Sequence, residues 1–165
     1  MAERTLILSP ETARRKLKRM AMEIAERNSG CAEILLVGVK ENGVIIARLM
    51  QQMLKDIFLG KVVVSEVTLN KKQPTSVSLS VAINVTDKVI ILVDDVANTG
   101  KTMLYALQPL LQFAPDRIQT LALVERTHKL FPIAIDYIGF SISTTLQQNI
   151  EVEIDKGEIV GAWLR

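Results

Sequence analysis

The sequence holds a single cysteine, Cys31, in 165 residues. That excludes an internal disulfide framework and fits a reducing compartment, so a cytoplasmic protein is expected. Cys31 itself reads as a small core residue rather than a catalytic thiol. Histidine is equally scarce: His128 is the only one, and with no second His or Cys beside it in sequence a zinc site is not expected. Aromatic residues make up only 4% of the chain, which leaves no stacking platform for unpaired bases. An excess of one charge is missing too, since a net +2 is too slight to argue for nucleic acid by itself. No apolar run is long enough to span a bilayer. Met1-Ala2-Glu3-Arg4 does not begin a charged segment followed by a long apolar one, so neither a membrane anchor nor a signal peptide is expected. What the chain does have is 48% hydrophobic residues at a length that suits one domain, enough for a real core and too much for disorder.

Those apolar residues are organised around one stretch, Val89 to Thr102. Val89-Ile90-Ile91-Leu92-Val93 reads as a buried strand of a parallel sheet, and Asp94 and Asp95 stand where it runs out. Asn98-Thr99-Gly100 is a turn signal, after which Thr102 to Leu107 resumes with helical spacing. A tight turn at a helix start offers free backbone N–H groups, where an anionic phosphate is favoured. Gly100 permits close approach of a ligand, and Thr99 and Thr102 add hydroxyl donors. Two carboxylates beside such a cradle suit a ligand that carries neutral hydroxyls next to a phosphate, such as ribose 5-phosphate; they can also hold Mg²⁺, directly or through water. A lone Asp-Asp pair would simply end a strand at the surface, but the flanking strand and turn argue for chemistry. Thr99-Gly100-Lys101-Thr102 imitates the end of a Walker A loop, yet that motif needs Gly where Asp95 stands. The acidic pocket of a receiver domain is also imitated, but too few residues follow Asp95 to complete that fold.

Taken in order, the chain first gives a helix start at Ser9-Pro10-Glu11. Ala13, Leu17, Met20, Ala21 and Ile24 form its apolar stripe, and Asn28-Ser29-Gly30 ends it. Its other side is basic through Arg14, Arg15, Lys16, Lys18 and Arg19, which is either a solvated face or a patch that reads phosphates of RNA. A strand over Ile34–Val39, a short loop through Lys40-Glu41-Asn42-Gly43 and a periodic helix from Ile45 to Ile57 repeat the strand–loop–helix construction. Lys61 to Leu69 reads as another strand, and Asn70 to Ser80, with Pro74, as a mobile loop or hairpin. Ile118 to Val124 is a buried strand ending in Glu125-Arg126-Thr127-His128, which puts His128 on the edge where open α/β sheets bind ligands. Residues 150–154 and 158–163 alternate like short antiparallel strands.

The strand, the two acids and the Thr-Gly-x-Thr loop at 89–102 resemble the phosphoribosyl-pyrophosphate (PRPP) motif of the type I phosphoribosyltransferases. Leu123-Val124-Glu125-Arg126-Thr127-His128-Lys129, Phe131-Pro132-Ile133 and Asp136-Tyr137-Ile138-Gly139 are similar to the family's bifunctional pyrimidine-operon regulators and uracil phosphoribosyltransferases. That similarity runs from about Ile7 to Val160. It implies a single α/β domain with a mostly parallel sheet flanked by helices, a lid at about 70–80 and a small C-terminal hood at about 134–165. It also implies transfer of 5-phosphoribosyl from PRPP to a nucleobase, uracil or a purine, with Mg²⁺ and release of pyrophosphate.

Residue by residue, the resemblance places the 5-phosphate on Ala97, Asn98, Thr99, Gly100, Lys101 and Thr102. Asp94 and Asp95 take the ribose hydroxyls and, through water, the metal, and Lys71 of the lid is a catalytic cation. Lys40, Glu41, Asn42 and Gly43 take the pyrophosphate, and Arg126, His128, Tyr137 and Ile138 the base. Two departures stand out. The family often carries Thr-Arg-Gly where this chain has Glu41-Asn42-Gly43, and a base-contacting Arg or Lys where it has Ala134. The family also implies a homodimer or larger assembly, which the apolar helical surface at 45–58 suits. From another class comes an RNA-binding regulator that senses UMP or PRPP, with Lys18, Arg19 and Arg27 on an mRNA leader. An inactive scaffold is the third possibility.

Overall fold

The computed structural model describes residues 4–39, 41–69, 77–79, 84–145 and 147–165. Lys40, Lys71 and most of the expected lid at 70–80 lie outside the described residues. After β1 (Thr5–Leu8) comes α1 (Pro10–Arg27). The Ser9 hydroxyl accepts the N–H of Thr12 at 3.2 Å, and proline sits in the first turn, where its missing N–H costs nothing. The five buried residues of α1 are the stripe Ala13, Leu17, Met20, Ala21 and Ile24. α2 (Asn42–Leu54) joins β2 (Glu33–Val39) to β3 (Lys61–Leu69). It stops three residues before Ile57, which is 44% exposed after a turn.

β4 (Val77–Leu79) pairs antiparallel with β3, which puts the described part of the expected lid at the edge of the sheet. β5 (Val89–Ala97), α3 (Lys101–Ala106), α4 (Gln108–Leu111), β6 (Arg117–Arg126) and β7 (Tyr137–Ile142) follow. The main sheet has the order β4-β3-β2-β5-β6-β7 and is parallel from β3 to β7. α1 and α2 cover one face, packing Leu17, Ile24, Ile46 and Met50 with Ile34, Leu36, Ile91 and Val93. Met103, Ala106 and Leu110 of α3 and α4 cover the other, with Leu35, Val37, Ile90 and Leu92. Both faces of β2 and β5 are therefore buried, which is why their sequences are continuous apolar runs.

Antiparallel β8 (Ile150–Asp155) and β9 (Glu158–Leu164) make a second sheet of order β1-β9-β8. The hood expected over 134–165 differs here in two respects. β7 belongs to the main sheet, and the second sheet recruits β1 from before α1. Four residues of β1 carry too little alternation to declare a strand; it is made by its partner, β9. Arg4 closes that sheet's surface, with its guanidinium 3.9 Å from the Trp163 ring centroid and an ion pair to Glu153. No helix among the described residues is long and apolar enough to cross a membrane.

Candidate active site

β2 feeds α2 and β3 on one side of the sheet, while β5, its other neighbour, feeds α3 and β6 on the opposite side. The strand order thus reverses between β2 and β5, and a crevice opens there at the carboxyl ends of the strands. Glu41, Asn42 and Gly43 stand after β2, and residues 98–102 after β5. β5 extends past Val93, where it was expected to stop, through both aspartates to Ala97, because it stays paired with β6 as far as Ala97 and Glu125.

Successive strand side chains point to opposite faces, and the two acids use this. Asp94, 2% exposed, lines a cavity of about 40 Å³ with Val96 to Gly100, Thr102 and Met103. That is room for one small group, more than a water needs. Its Oδ1 accepts the N–H of Asp95 at 2.9 Å. Asp95 turns toward α2: its Oδ2 accepts from Asn42 Nδ2 at 2.8 Å, and its Oδ1 from the Val96 N–H at 2.9 Å. Asn42 Nδ2 also lies 3.2 Å from the Val152 carbonyl of β8, so one amide joins the loop after β2, the acid of β5 and the second sheet. Gly43 falls in the first turn of α2, where a Cβ would stand 2.4 Å from the Val93 carbonyl oxygen.

The turn after β5 has left-handed Gly100, φ +85°, a conformation that strains any residue with a Cβ. The Thr99 hydroxyl accepts the Lys101 N–H at 3.2 Å. Asn98 Oδ1 is buried beside the cavity with no hydrogen-bond partner among the described residues. Two larger grooves, of about 600 and 520 Å³, lie along α1 and α2 and share no residue with this site.

The four residues expected at a base are not brought together in the same way. His128 is exposed and Ile138 half-buried on the α3 side. Arg126, 7% exposed, spends its guanidinium on the loop before β8, with Nη2 2.5 Å from the Gln148 carbonyl and Nη1 3.4 Å from that of Thr145. Tyr137 is fully buried under α1. Its hydroxyl donates to Gln119 Oε1 at 2.9 Å and receives from Asn28 Nδ2 at 3.2 Å. Tyr137 thus builds the core rather than offering a free hydroxyl to a base, while Arg126 ties down a loop with both terminal nitrogens and keeps only Nε without a partner among the described residues.

Burial raises the Tyr137 phenol above its ordinary value, against the opposing hydrogen bond from Asn28 and the nearby Arg27 guanidinium. The folded chain therefore keeps a proton that the unfolded chain has lost. This contribution is complete below about pH 10 and disappears as pH rises through the raised folded-state value. Melting temperatures of wild type and Tyr137→Phe are expected to run at a constant offset up to that pH and to converge above it.

The basic residues of α1 divide similarly. Arg19 Nη2 donates to the Ile138 and Gly139 carbonyls of edge strand β7 at 2.6 and 3.2 Å, and Nη1 pairs with Glu23. Arg27 lies 5.0 Å from the Tyr137 ring and 3.4 Å from the Asp136 carbonyl. Both fasten α1 to β7; Lys18 alone of the three is exposed without such a contact. Sequence reasoning missed Glu125 and Lys129, a largely buried ion pair at the end of β6. Their i,i+4 spacing was visible, but not that β6 stops between them and the chain turns back.

An acidic pair and a small cavity at the switch point of a parallel sheet define an open α/β protein with a ligand crevice at its strand ends, and comparison makes the class specific. The family model described as phosphoribosyl transferase domain matches residues 7–156, and the chain belongs to that family. Bifunctional protein PyrR of Bacillus cereus (strain AH820) is 34% identical over 168 residues, spanning 94% of this chain and 93% of that one. PyrR of Bacillus mycoides (strain KBAB4) is 33% identical over the same spans. Among solved structures, the hypoxanthine phosphoribosyltransferase of Trypanosoma cruzi superposes with TM-score 0.77 at 17% identity, covering 95% of both chains. A hypoxanthine-guanine phosphoribosyltransferase of Bacillus anthracis gives 0.75 at 19% identity, covering 96% of both. These two share the fold.

Proposed function

We propose that the chain transfers 5-phosphoribosyl from PRPP to a nucleobase nitrogen and releases pyrophosphate. The observation that carries this is the division of labour at the switch point, with Asp94 on the cavity of residues 96–103 and Asp95 on the loop after β2. The cavity takes the 5-phosphate on the backbone and hydroxyls of Ala97 to Thr102. Asp94 and Asp95 accept from the ribose hydroxyls and favour positive charge as it develops on the ring, as in other glycosyl transfers. Glu41, Asn42 and Gly43, with Lys40, are assigned to the pyrophosphate. His128 and Ile138 are the base-side residues left with an accessible surface, and the lid cation is Lys71.

The described residues hold no cluster of three or more metal-ligating side chains. Two hard carboxylates completed by substrate oxygens nevertheless fit Mg²⁺, which keeps much of its water shell. Asp94 and Asp95 would hold it through water, and when bound it neutralises charge on the departing pyrophosphate. A homodimer or larger homo-oligomer belongs to the same reading, as does a cytoplasmic location.

The deciding experiment is pyrophosphate release from PRPP and Mg²⁺ with uracil, hypoxanthine, guanine, adenine and xanthine offered separately. Uracil comes first, given the resemblance of residues 123–139 to the uracil phosphoribosyltransferases. Turnover with one base is expected. Calorimetric binding of UMP or PRPP without turnover would instead favour the nucleotide-sensing RNA regulator. In that case RNA affinity should fall steeply with salt and with Lys18→Glu.

A further inference from the structure

Glu125 and Lys129 are charged groups that the proposed reaction leaves unused. Glu125 sits one residue from the end of β6, opposite Ala97 of β5 on one side and Ser141 of β7 on the other. Its carboxylate pairs with Lys129 and accepts from the Ser141 hydroxyl at 3.0 Å. The side chains of the pair are only 12% and 13% exposed. Desolvation offsets most of the attraction within a charge pair this shielded, so the pair adds little to stability.

Lys129 begins a segment that lies against the turn after β5. The next two N–H groups, of Leu130 and Phe131, both donate to the Thr99 carbonyl, at 2.9 and 3.0 Å. A Cβ on Gly100 would come within 2.7 Å of Ile133, 3.3 Å of the Phe131 carbonyl oxygen and 3.6 Å of the Lys129 stem. In a planar trans peptide the C=O and N–H point in opposite directions across the C–N bond. Two donors on the Thr99 carbonyl therefore turn the Gly100 N–H away from the segment, and no residue of 125–133 lines the cavity.

We propose that residues 125–133 form a strap, anchored by the Glu125–Lys129 ion pair, that fixes the Thr99–Gly100 peptide with its N–H toward the phosphate. Lys129 and Glu125 are then positioning residues, which act on the 5-phosphate through Thr99 and Gly100 without touching it. The strap also gives the base side of the site a mechanical hold on the phosphate side, since it follows β6 directly.

The inference rests on the phosphoribosyl function proposed above, and the test separates the two. Calorimetry would measure ribose 5-phosphate and, separately, magnesium pyrophosphate on wild type, Lys129→Met, Lys129→Arg and the double variant Glu125→Gln/Lys129→Met. The double variant leaves no unpaired buried charge, so it keeps the comparison valid if the single variant folds poorly. At least tenfold weaker binding of ribose 5-phosphate is expected for Lys129→Met and for the double variant, with pyrophosphate affinity within twofold of wild type and near-complete rescue by Lys129→Arg. Undiminished ribose 5-phosphate affinity in the double variant would overturn the strap and leave the phosphoribosyl function standing. Equal loss for both ligands would also overturn it, as the mark of a general structural role. Failure of wild type to bind either ligand would overturn both.

Discussion

Asp94→Asn is expected to lower pyrophosphate release by about 10²–10³-fold, the scale of losing one preorganised electrostatic contact to a transition state, while the protein stays folded. The amide keeps an oxygen to accept the Asp95 N–H and keeps the volume of a residue that is 2% exposed. Alanine is a worse probe, because it strands that N–H at a cost of about 1–3 kcal/mol. Asp95→Asn behaves differently. One position of its amide must meet the Asn42 Nδ2 donor at the site now held by Oδ2, or else the Val96 N–H now held by Oδ1. A donor then faces a donor, so activity and the local tie to Asn42 are lost together. Steady-state release rates and melting temperatures for both variants check this; an Asp95→Asn protein as stable as wild type would contradict the assignment of Asn42 to Asp95.

The second large effect falls on stability. Gly43→Ala is expected to destabilise the fold by about 3 kcal/mol, at the upper end of ordinary overpacking. The added methyl would stand 2.4 Å from a backbone carbonyl oxygen of β5 and 3.2 Å from the Asp94 Cα, neither of which can swing aside as a side chain would. α2 must move off β5, and Asn42, one residue earlier, moves with it. Denaturant melts should show the midpoint shift, and activity should fall further than stability requires. A variant as stable as wild type would mean that the first turn of α2 relaxes without the sheet.

Buried elements were legible in the sequence because each is a complete local pattern. The stripe Ala13, Leu17, Met20, Ala21 and Ile24 is the buried face of α1, and Val89 to Val93 is the central strand. What resisted reading was whatever one element does for another. Tyr137 and Arg126 sit in a motif that points to a base, yet a buried phenol and guanidinium satisfy partners distant in sequence, Asn28, Gln119 and Gln148. Arg19 looked like one of five equivalent surface cations until β7 gave it carbonyls. β1 exists only because β9 pairs with it. The acids at 94 and 95 were readable as a pair, but their separation onto two faces needed β5 to continue past them.

The pairing of β1 with β9 bears on biosynthesis. On the ribosome, the residues of α1, of the main sheet and of the acidic crevice have all been made once β7 has emerged, although Arg19 must then reach Ile138 across 119 residues. β1 must wait unpaired until β9 has been made, since Thr5 finds Leu164 and Leu8 finds Ala162. Non-local pairing of this kind is slow to form. The nascent chain therefore passes through a stage in which the crevice exists without its second sheet and the Asn42 amide has Asp95 but not yet Val152.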